Sequence, residues 1–590
     1  MPENILQIKS LPGIKRDGTR FEGDNYVDGQ WVRFQRGLPR KIGGYRSINK
    51  YLREQSTQLS EFTQDSLTYI HSGSPNYVER FYIDGSYNTS PISDRTPASG
   101  FTPNDQNMWQ FTYDGLGSAN QIIAQVAPNL GCICNSEGGE VFYGDLFDTT
   151  PLTPIAIPMG GNATGGVVAL HPYTFIYGSN GYVAWSVPGD PTDFTGAGSG
   201  DAYVTSQKIV RGLPLRGGPG NSPSGLFWSA DSLIRMTFVG GDQIFQADTL
   251  STQSSILSSN SPIEYDGVFY WLGVDRFLMF NGVVREVENN LNINYFFDGL
   301  NFAYRQKVFA VKVPRYGEIW WCYPRGQATE CTNAIIYNVR ENTWYDLELP
   351  NGGRSAGIFP SVFSKPLMTG VEPQPAAAFD VAIDNGGTGY AVNDVLTVEG
   401  GAYGVPVQLT VTGTDTLTGE VTSVEISNAG SYSSEPTNPV SVTGGGGADA
   451  LFDITFVNPY KLWVHEVGTD EVDGQNIQPI MSFFETADLS LPTMSQTNKA
   501  LQVLMLEPDF VQSGDLTVQV RGRANARSPE VNGEIKTIVQ TPSIPQQQVV
   551  YFKEQRRELR FRFESNVIGG DYQMGVCLAH LQPGDGTVIG

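Results

Sequence analysis

Val167-Val-Ala-Leu-His-Pro-Tyr-Thr-Phe-Ile-Tyr-Gly-Ser-Asn-Gly-Tyr-Val-Ala-Trp185 holds three short runs, Val167–Leu170, Tyr173–Tyr177 and Tyr182–Trp185. Each is rich in the β-branched and aromatic residues that pack well on a pleated surface. Ser179-Asn180-Gly181 separates the second run from the third, and Asn-Gly supplies the positive φ that a tight hairpin turn requires. The stretch therefore predicts three antiparallel strands in succession.

The same style extends in both directions, from residue 51 to 365. Leu226–Ser229, Leu233–Phe238, Gly267–Leu272, Phe277–Phe280, Val308–Val313, Glu318–Tyr323 and Ala334–Tyr337 have the length of strands. Gly240-Gly241-Asp242, Asp266-Gly267 and Asn281-Gly282 fill the gaps with turn chemistry. Helical periodicity is scarce, and Asn290–Leu300 is the best short helix. Many even strands over some 300 residues predict a β-propeller or a set of β-sandwiches, without a WD or kelch signature.

Composition agrees. The 590 residues include 67 Gly and 36 Pro, a density that excludes a helical bundle or coiled coil. Charged residues make up 17%, below the roughly 25% of an average globular chain, and the net charge is -23. No apolar run approaches the roughly 18 residues that span a bilayer, and Met1-Pro-Glu-Asn-Ile lacks the basic and apolar regions of a signal peptide. The expectation is a product made in the cytoplasm with no membrane-spanning segment. Cys132, Cys134, Cys322, Cys331 and Cys577 form no CxxC pair and no disulfide framework, which predicts buried thiols. The acidity excludes a general nucleic-acid-neutralising surface but not one that DNA passes without sticking.

Four regions follow. Residues 1–50 are basic, with Lys15, Arg16, Arg20, Arg33, Arg36, Arg40, Lys41 and Arg46. Within them Trp31–Phe34 reads as a strand, Arg36–Pro39 as a turn and Lys41–Gly44 as the return of a hairpin. Residues 51–365 form the first part of the propeller core. Residues 366–460 contain eleven acidic residues and no Lys or Arg, so nearly half of the net charge sits in a sixth of the chain. Asn385-Gly-Gly-Thr-Gly-Tyr390 is echoed by Asn428-Ala-Gly-Ser-Tyr432, and Val398-Glu-Gly-Gly401 by Val442-Thr-Gly-Gly445. This predicts two Gly-rich β units of about 43 residues in a small domain inserted into a surface loop, where insertions cost little. Residues 461–590 are the remainder of the core and an antiparallel platform. In Arg557-Glu-Leu-Arg-Phe-Arg-Phe-Glu564, the alternation places Leu559, Phe561 and Phe563 inside and Arg560, Arg562 and Glu564 outside. Leu516–Arg521 and Gln548–Phe552 are its predicted neighbours in a sandwich.

Chemistry-bearing constellations are few. His71, His171, His465 and His580 lack metal-like partners at i+2 or i+4, although His465-Glu466 has the composition of half an acid/base site. The carboxylate pairs that a glycosidase would need are Asp190 with Asp193 and Asp266 with Asp275, each also explained as a turn cap. Asp384 to Asp394 has the oxygen ligands for calcium but not an EF-hand order. Gly444–Gly447 lacks the Lys and helix of a phosphate cradle, and no GxSxG elbow, P-loop or dinucleotide fingerprint is present. Lys41, Arg521/Arg523/Arg527 and Lys553 through Arg562 are the basic clusters. They read as exposed strand faces, as protein contacts, or as a nucleic-acid surface if they share one face with aromatics. No catalytic, cofactor-binding or metal residue is assigned.

Seven stretches together resemble the tail nozzle, or tail hub (packaged-DNA stabilisation), proteins of short-tailed, podovirus-type bacteriophages. They are Gly29-Gln-Trp-Val-Arg-Phe-Gln-Arg-Gly-Leu-Pro-Arg-Lys-Ile-Gly-Gly-Tyr45, Trp185-Ser-Val-Pro-Gly-Asp-Pro-Thr-Asp-Phe194, Trp228-Ser-Ala-Asp-Ser-Leu-Ile-Arg-Met-Thr-Phe-Val-Gly240, Tyr265-Asp-Gly-Val-Phe-Tyr-Trp-Leu-Gly-Val-Asp-Arg-Phe277, Glu318-Ile-Trp-Trp-Cys-Tyr-Pro324, Tyr337-Asn-Val-Arg-Glu-Asn-Thr-Trp344 and Arg557-Glu-Leu-Arg-Phe-Arg-Phe-Glu-Ser565. The resemblance lies in the ordered set, which covers most of the chain outside 366–460. It implies an all-β chain with a β-propeller core, a β-sandwich-like platform and a small inserted β domain. It implies a non-enzymatic virion protein, made in the host cytoplasm and placed in the tail. There a homo-hexameric ring would sit below the portal and adaptor, meet tail fibres or spikes, and let double-stranded DNA pass its lumen without specific binding. The ring closes the channel after packaging and conducts DNA at ejection. On this resemblance, the basic segment 1–50 docks to the adaptor or a neighbouring subunit. No residue is implied for the channel or gate. The acidic region departs from the plain pattern and resembles small β modules of phage surface proteins. A polysaccharide- or wall-degrading tail enzyme and a receptor-binding tail protein, with the insert as its head, are the alternatives.

Overall fold

The computed structural model describes residues 4–19, 23–64, 67–99, 108–114, 121–127, 140–146, 149–158, 163–215, 223–360, 363–489, 500–525 and 527–584. Six antiparallel meanders of four strands each follow one another. They begin at Gln58–Gln64, Met108–Asp114, Gly166–Leu170, Ile209–Pro214, Ile263–Tyr265 and Phe309–Val313. The quoted opening stretch is the third of them: Gly166–Leu170, Tyr173–Tyr177 and Tyr182–Trp185, completed by Gly200–Tyr203. Its Asn180-Gly181 turn has positive φ at both residues, and Asp266-Gly267 repeats that geometry in the fifth.

A seventh sheet closes the ring from three distant pieces of chain. Arg354–Ile358 and Leu367–Pro373 pair, Tyr460–His465 joins them from beyond the insert, and Tyr45–Leu52 from the N-terminal region adds the fourth strand. Asp470–Asp473 and Asn476–Pro479 extend this sheet outward. The first strand of the seventh sheet lies beside those of the sixth and the first. Among the described residues these seven sheets make an all-β, seven-bladed propeller, fastened by pairing early residues with late ones. Neighbouring blades pack through apolar and aromatic side chains, as Trp228 of blade 4 does against Trp271 of blade 5, ring centroids 5.6 Å apart. A short helix, Ile293–Gly299, links blades 5 and 6 within the predicted Asn290–Leu300.

Three further sheets form the platform. Asn4–Gln7, Leu578–Pro583, Leu501–Glu507 and Val550–Arg556 make the first. Asp28–Gln30, Ser482–Glu485, Glu558–Ser565, Leu516–Arg523 and Val531–Ile538 make the second. The hairpin Val32–Gln35 and Leu38–Lys41, with Asp571–Met574 and Phe510–Ser513, makes the third. Leu559, Phe561 and Phe563 enter one core that also takes Trp31, Phe34, Trp320 and Tyr345, so platform and blade 6 share it.

The strands of residues 1–50 are woven into the platform and blade 7 of their own chain, where main-chain ladders satisfy them. One expected boundary is corrected. The insert does not begin at residue 366. Leu367–Pro373 belongs to blade 7, and the inserted strands run from Ala377–Thr388 to Ala448–Val457. The two echoing halves of the insert share one core: six strands form one sheet, with the first inserted strand packed beside Val421–Asn428 at the opposite edge, and Ala402–Val405 pairs with Ser431–Ser434 in a two-stranded sheet. The internal echo is visible in the geometry. Asn385 and Asn428 each accept the N–H two residues on, Val398 pairs with Val442, and Gly400-Gly401 and Gly444-Gly445 all have positive φ.

Two measurements check this architecture. Pro373 pairs with Tyr460, and Gln374 N–H donates to the Pro459 carbonyl at 2.8 Å, so the insert leaves and re-enters at one point. Replacing residues 376–457 by two glycines is expected to leave a cooperatively unfolding propeller, losing about 1 kcal/mol with the Arg53–Phe379 stacking contact. Unfolding in denaturant, with far-UV circular dichroism, reads the result. Second, burial pushes Glu79 of blade 1 up to about 7. The folded state therefore holds this proton above the ordinary carboxylate range, and the stability it contributes below pH 4.5 is lost as pH rises through 7. Glu79→Gln is expected to gain about 3 kcal/mol relative to wild type between pH 4.5 and pH 8. Urea unfolding at both pH values measures it.

Candidate functional site

The basic hairpin at residues 32–41 is the first place to examine. Arg36 and Gly37 both have positive φ, making the tight turn that Gly37 allows. The two turn N–H groups donate to the Glu341 carboxylate, at 2.9 and 3.2 Å, fixing the hairpin to blade 6. Behind the turn, Arg33 is 0% exposed. Its Nε lies 2.8 Å from Glu318 Oε1, its Nη1 donates to Glu466 Oε2 at 3.0 Å, and its guanidinium sits 3.6 Å from the Tyr316 ring centroid. Glu318 also accepts from Trp320 Nε1 at 2.8 Å and Tyr345 Oη at 2.6 Å. Burial pushes the Glu318 carboxyl upward, while at Arg33 the attraction of two carboxylates outweighs burial and holds the cation. The cluster joins the platform hairpin, blade 6 and the segment after blade 7.

The other basic clusters meet the same fate. Lys41 is buried, donates to the Gly570 carbonyl at 2.7 Å, and is pushed down to about 8 by burial. Arg560, expected on the solvent face of its strand, is 0% exposed and contacts Glu485, Asp488 and Glu530. Arg521 and Arg562 share Glu485, and Arg523 pairs with Glu558 at 2.6 Å. Arg527, Lys553 and Arg557 remain exposed. The alternation was right for Leu559, Phe561 and Phe563, but the opposite face is covered as well, which the strand's own pattern could not reveal.

The structure brings none of the weighed acid/base residues into one cleft. His465 accepts from Arg354 Nε at 3.1 Å and is held neutral by burial and by that cation, while Glu466 turns to Arg33. His71 is buried against Tyr113 and His580 meets Glu507, 3.2 and 2.6 Å away respectively. His171 is exposed in a turn of blade 3. Asp190 caps Thr192, and Asp193 caps Thr195 and Gly196, whose hydrogen bonds hold Asp193 below the usual carboxylate range. Asp275 is engaged by Arg276, and Asp266 occupies its turn at φ 50°. Asp394 accepts from the Ala391 and Gly446 N–H groups. Gly444 and Gly445 turn the chain between Val440–Thr443 and Ala448–Val457. Among the described residues no three His, Cys, Asp or Glu gather as a metal set. Cys322, Cys331 and Cys577 are buried thiols, and Cys132 and Cys134 lie outside the described residues.

The concave feature that sequence reasoning missed is the propeller axis. Residues on and beside the first strands of all seven blades line an open cavity of 580 Å³. Its wall carries Glu61, Arg211, Glu264 and Lys312 among Phe111, Leu213, Ile358 and other apolar groups. At one end Asn260 Nδ2 reaches the Thr57 carbonyl, 3.4 Å away, joining blades 5 and 1 across the axis. Lys312 Nζ lies 3.6 Å from Glu264 Oε2 and donates to the Glu264 carbonyl at 3.0 Å. No sequence signal points here, because each blade contributes only a few residues and the blades are about fifty residues apart.

Comparison with known proteins yields fold likeness alone. No protein-family model and no curated protein matches the chain. Among solved structures it is similar to the WD40 β-propeller domain of Doa1, at 12% identity over 55% of this chain and 94% of that one, with a TM-score of 0.36. U3-55K is similar at 7% identity over 55% of this chain and 90% of that one, with a TM-score of 0.34. No helix among the described residues is long and apolar enough to cross a membrane.

The buried cluster gives a direct test. Arg33→Met leaves Glu318 charged and buried without its cation and is expected to cost about 3–5 kcal/mol. The double variant Arg33→Met/Glu318→Gln is expected to be less destabilised than the sum of the two single variants. A double-mutant cycle by equilibrium unfolding measures the coupling.

Proposed function

We propose that the chain is a structural subunit of the tail nozzle of a short-tailed phage, a homo-hexameric ring that closes the genome channel and conducts DNA at ejection. The observation that carries this reading is where the resembling stretches lie. Gly29–Tyr45, Glu318–Pro324 and Arg557–Ser565 all contribute to the one core shared by platform and propeller, and Tyr337–Trp344 packs in the core between blades 5 and 6. The likeness thus falls on residues that build a rigid joint, as suits a load-transmitting part rather than a catalytic cleft.

Size supports a ring. The axial cavity of one propeller is 580 Å³ and bridged at one end. A DNA duplex, whose major groove alone is about 12 Å wide, cannot thread it. A conduit for DNA has to be a lumen between copies, and head-to-tail contacts between different patches of one chain close into such a ring. Charge supports passage without adhesion. The net charge is -23, and several Arg residues of the basic clusters are spent on internal carboxylates, leaving few cations for phosphate. In this reading the partners are the adaptor above, fibres or spikes around the ring, and the passing duplex, and the place is the virion tail. The protein is not an enzyme here.

Virions made without this chain test the proposal. DNA-leaking or non-infectious particles are expected, together with sixfold density on the tail axis of complete virions and no hydrolysis of host polysaccharide by the purified chain. A monomer on the side of the tail would favour the receptor-binding alternative. Turnover abolished by Asp190→Asn would favour the polysaccharide-degrading one.

A further inference from the structure

The axial cavity holds a charge that the chain leaves unanswered. Arg211, on the first strand of blade 4, lines it, and among the described residues no carboxylate pairs with this guanidinium. Its Nε is buried and meets no hydrogen-bond acceptor. The polar group nearest in charge terms is Tyr177, which burial pushes up to about 12 and so keeps neutral. The Tyr177 hydroxyl is already spent, donating to Gln110 Oε1 and accepting the Gly212 N–H, both at 2.8 Å. Burial also drives the Arg211 guanidinium downward. This is the reverse of Arg33 and Arg560, which gather two and three carboxylates respectively. Arg211 is half-buried, with its Nε shut off from water and from any acceptor, so a counter-ion from outside the chain can complete its guanidinium.

The other polar groups of the wall define what that counter-ion can be. Lys312 is engaged by Glu264, whose carboxylate also accepts the Gly267 N–H at 2.7 Å. Glu61 accepts from Thr63 Oγ1 at 3.1 Å. These two carboxylates in the same wall oppose a second negative charge on the guest. Asn260 Oδ1 is buried in the same lining without a donor and suits a hydroxyl or N–H. Phe111, Leu213 and Ile358 supply apolar wall between. The volume falls within the range of small-molecule pockets, about 300–1,000 Å³.

We propose that the propeller axis is a binding site for a small organic monocarboxylate, anchored by Arg211 and carrying an apolar body with a hydrogen-bond donor. The planar fork of the guanidinium matches a carboxylate in a two-point contact. The proposal is independent of the tail-nozzle reading and stands or falls on ligand binding alone.

Calorimetric titration of the full chain with 4-hydroxyphenylacetate tests it, with 4-hydroxyphenylacetamide and inorganic phosphate as comparisons. The carboxylate is expected to bind one per chain, and the amide and phosphate at least about tenfold more weakly, the loss that follows from one charge-assisted hydrogen bond. Arg211→Met is expected to weaken the carboxylate by at least the same factor, yet to melt at a higher temperature than wild type without ligand. A purely structural arginine would give the opposite melting shift. Arg211→Gln repeats the binding test should the methionine variant not fold. The proposal is overturned by equal binding of carboxylate and amide, tighter binding of phosphate, unchanged affinity in the variants, or no saturable carboxylate binding to folded wild type.

Discussion

Arg33, Glu318 and Glu466 meet in the interior from positions 285 and 433 residues apart in sequence, and the remaining architecture depends on that meeting. A buried guanidinium with one carboxylate removed is a strongly unfavourable species. The hairpin that carries Arg33 is therefore locked to blade 6 through Glu318 and to the end of blade 7 through Glu466. Trp31, Trp320, Tyr316 and Tyr345 surround the charges and keep water away. The aromatic wall and the ion pair support each other: the wall strengthens the Coulomb attraction, and the hydrogen bonds from Trp320 and Tyr345 complete the shell of Glu318.

The same joint explains how an early segment can close a ring built from later ones. Once the hairpin is fixed, Tyr45–Leu52 enters blade 7 as its fourth strand and pairs with Tyr460–His465. The third and fourth strands of that blade thus come from opposite sides of the chain. The insert between its second and third strands is tolerated because its two ends are already paired at Pro373 and Tyr460. The long excursion adds its own core without straining the ladder that spans its base.

Charge is allocated by the fold in two ways. Four arginines of the platform, Arg521, Arg523, Arg560 and Arg562, are spent inward on Glu485, Glu530 and Glu558, which rigidifies it. The insert, with no Lys or Arg, contributes acid with nothing to balance it. Arg211 is the exception, a half-buried cation facing the axial cavity with its Nε unpartnered and no carboxylate beside it among the described residues.

The sequence by itself determined the local matters. Alternating Val, Ile and aromatic runs made strands, and Asn180-Gly181 and Asp266-Gly267 made tight turns, because both depend on neighbours in the chain. The presence of an acidic inserted β domain was legible from composition, although its start was not, since Leu367–Pro373 resembles its surroundings whichever sheet it joins. Tertiary structure alone decided the number of blades, because blade 7 is assembled from three separated pieces. It also decided the fate of the arginines. A charged residue in an alternating strand reads as exposed, and Arg560 is buried only because acids from other segments cover that face. The axial cavity was invisible for the same reason: it exists only where seven strands, each unremarkable alone, converge on one axis.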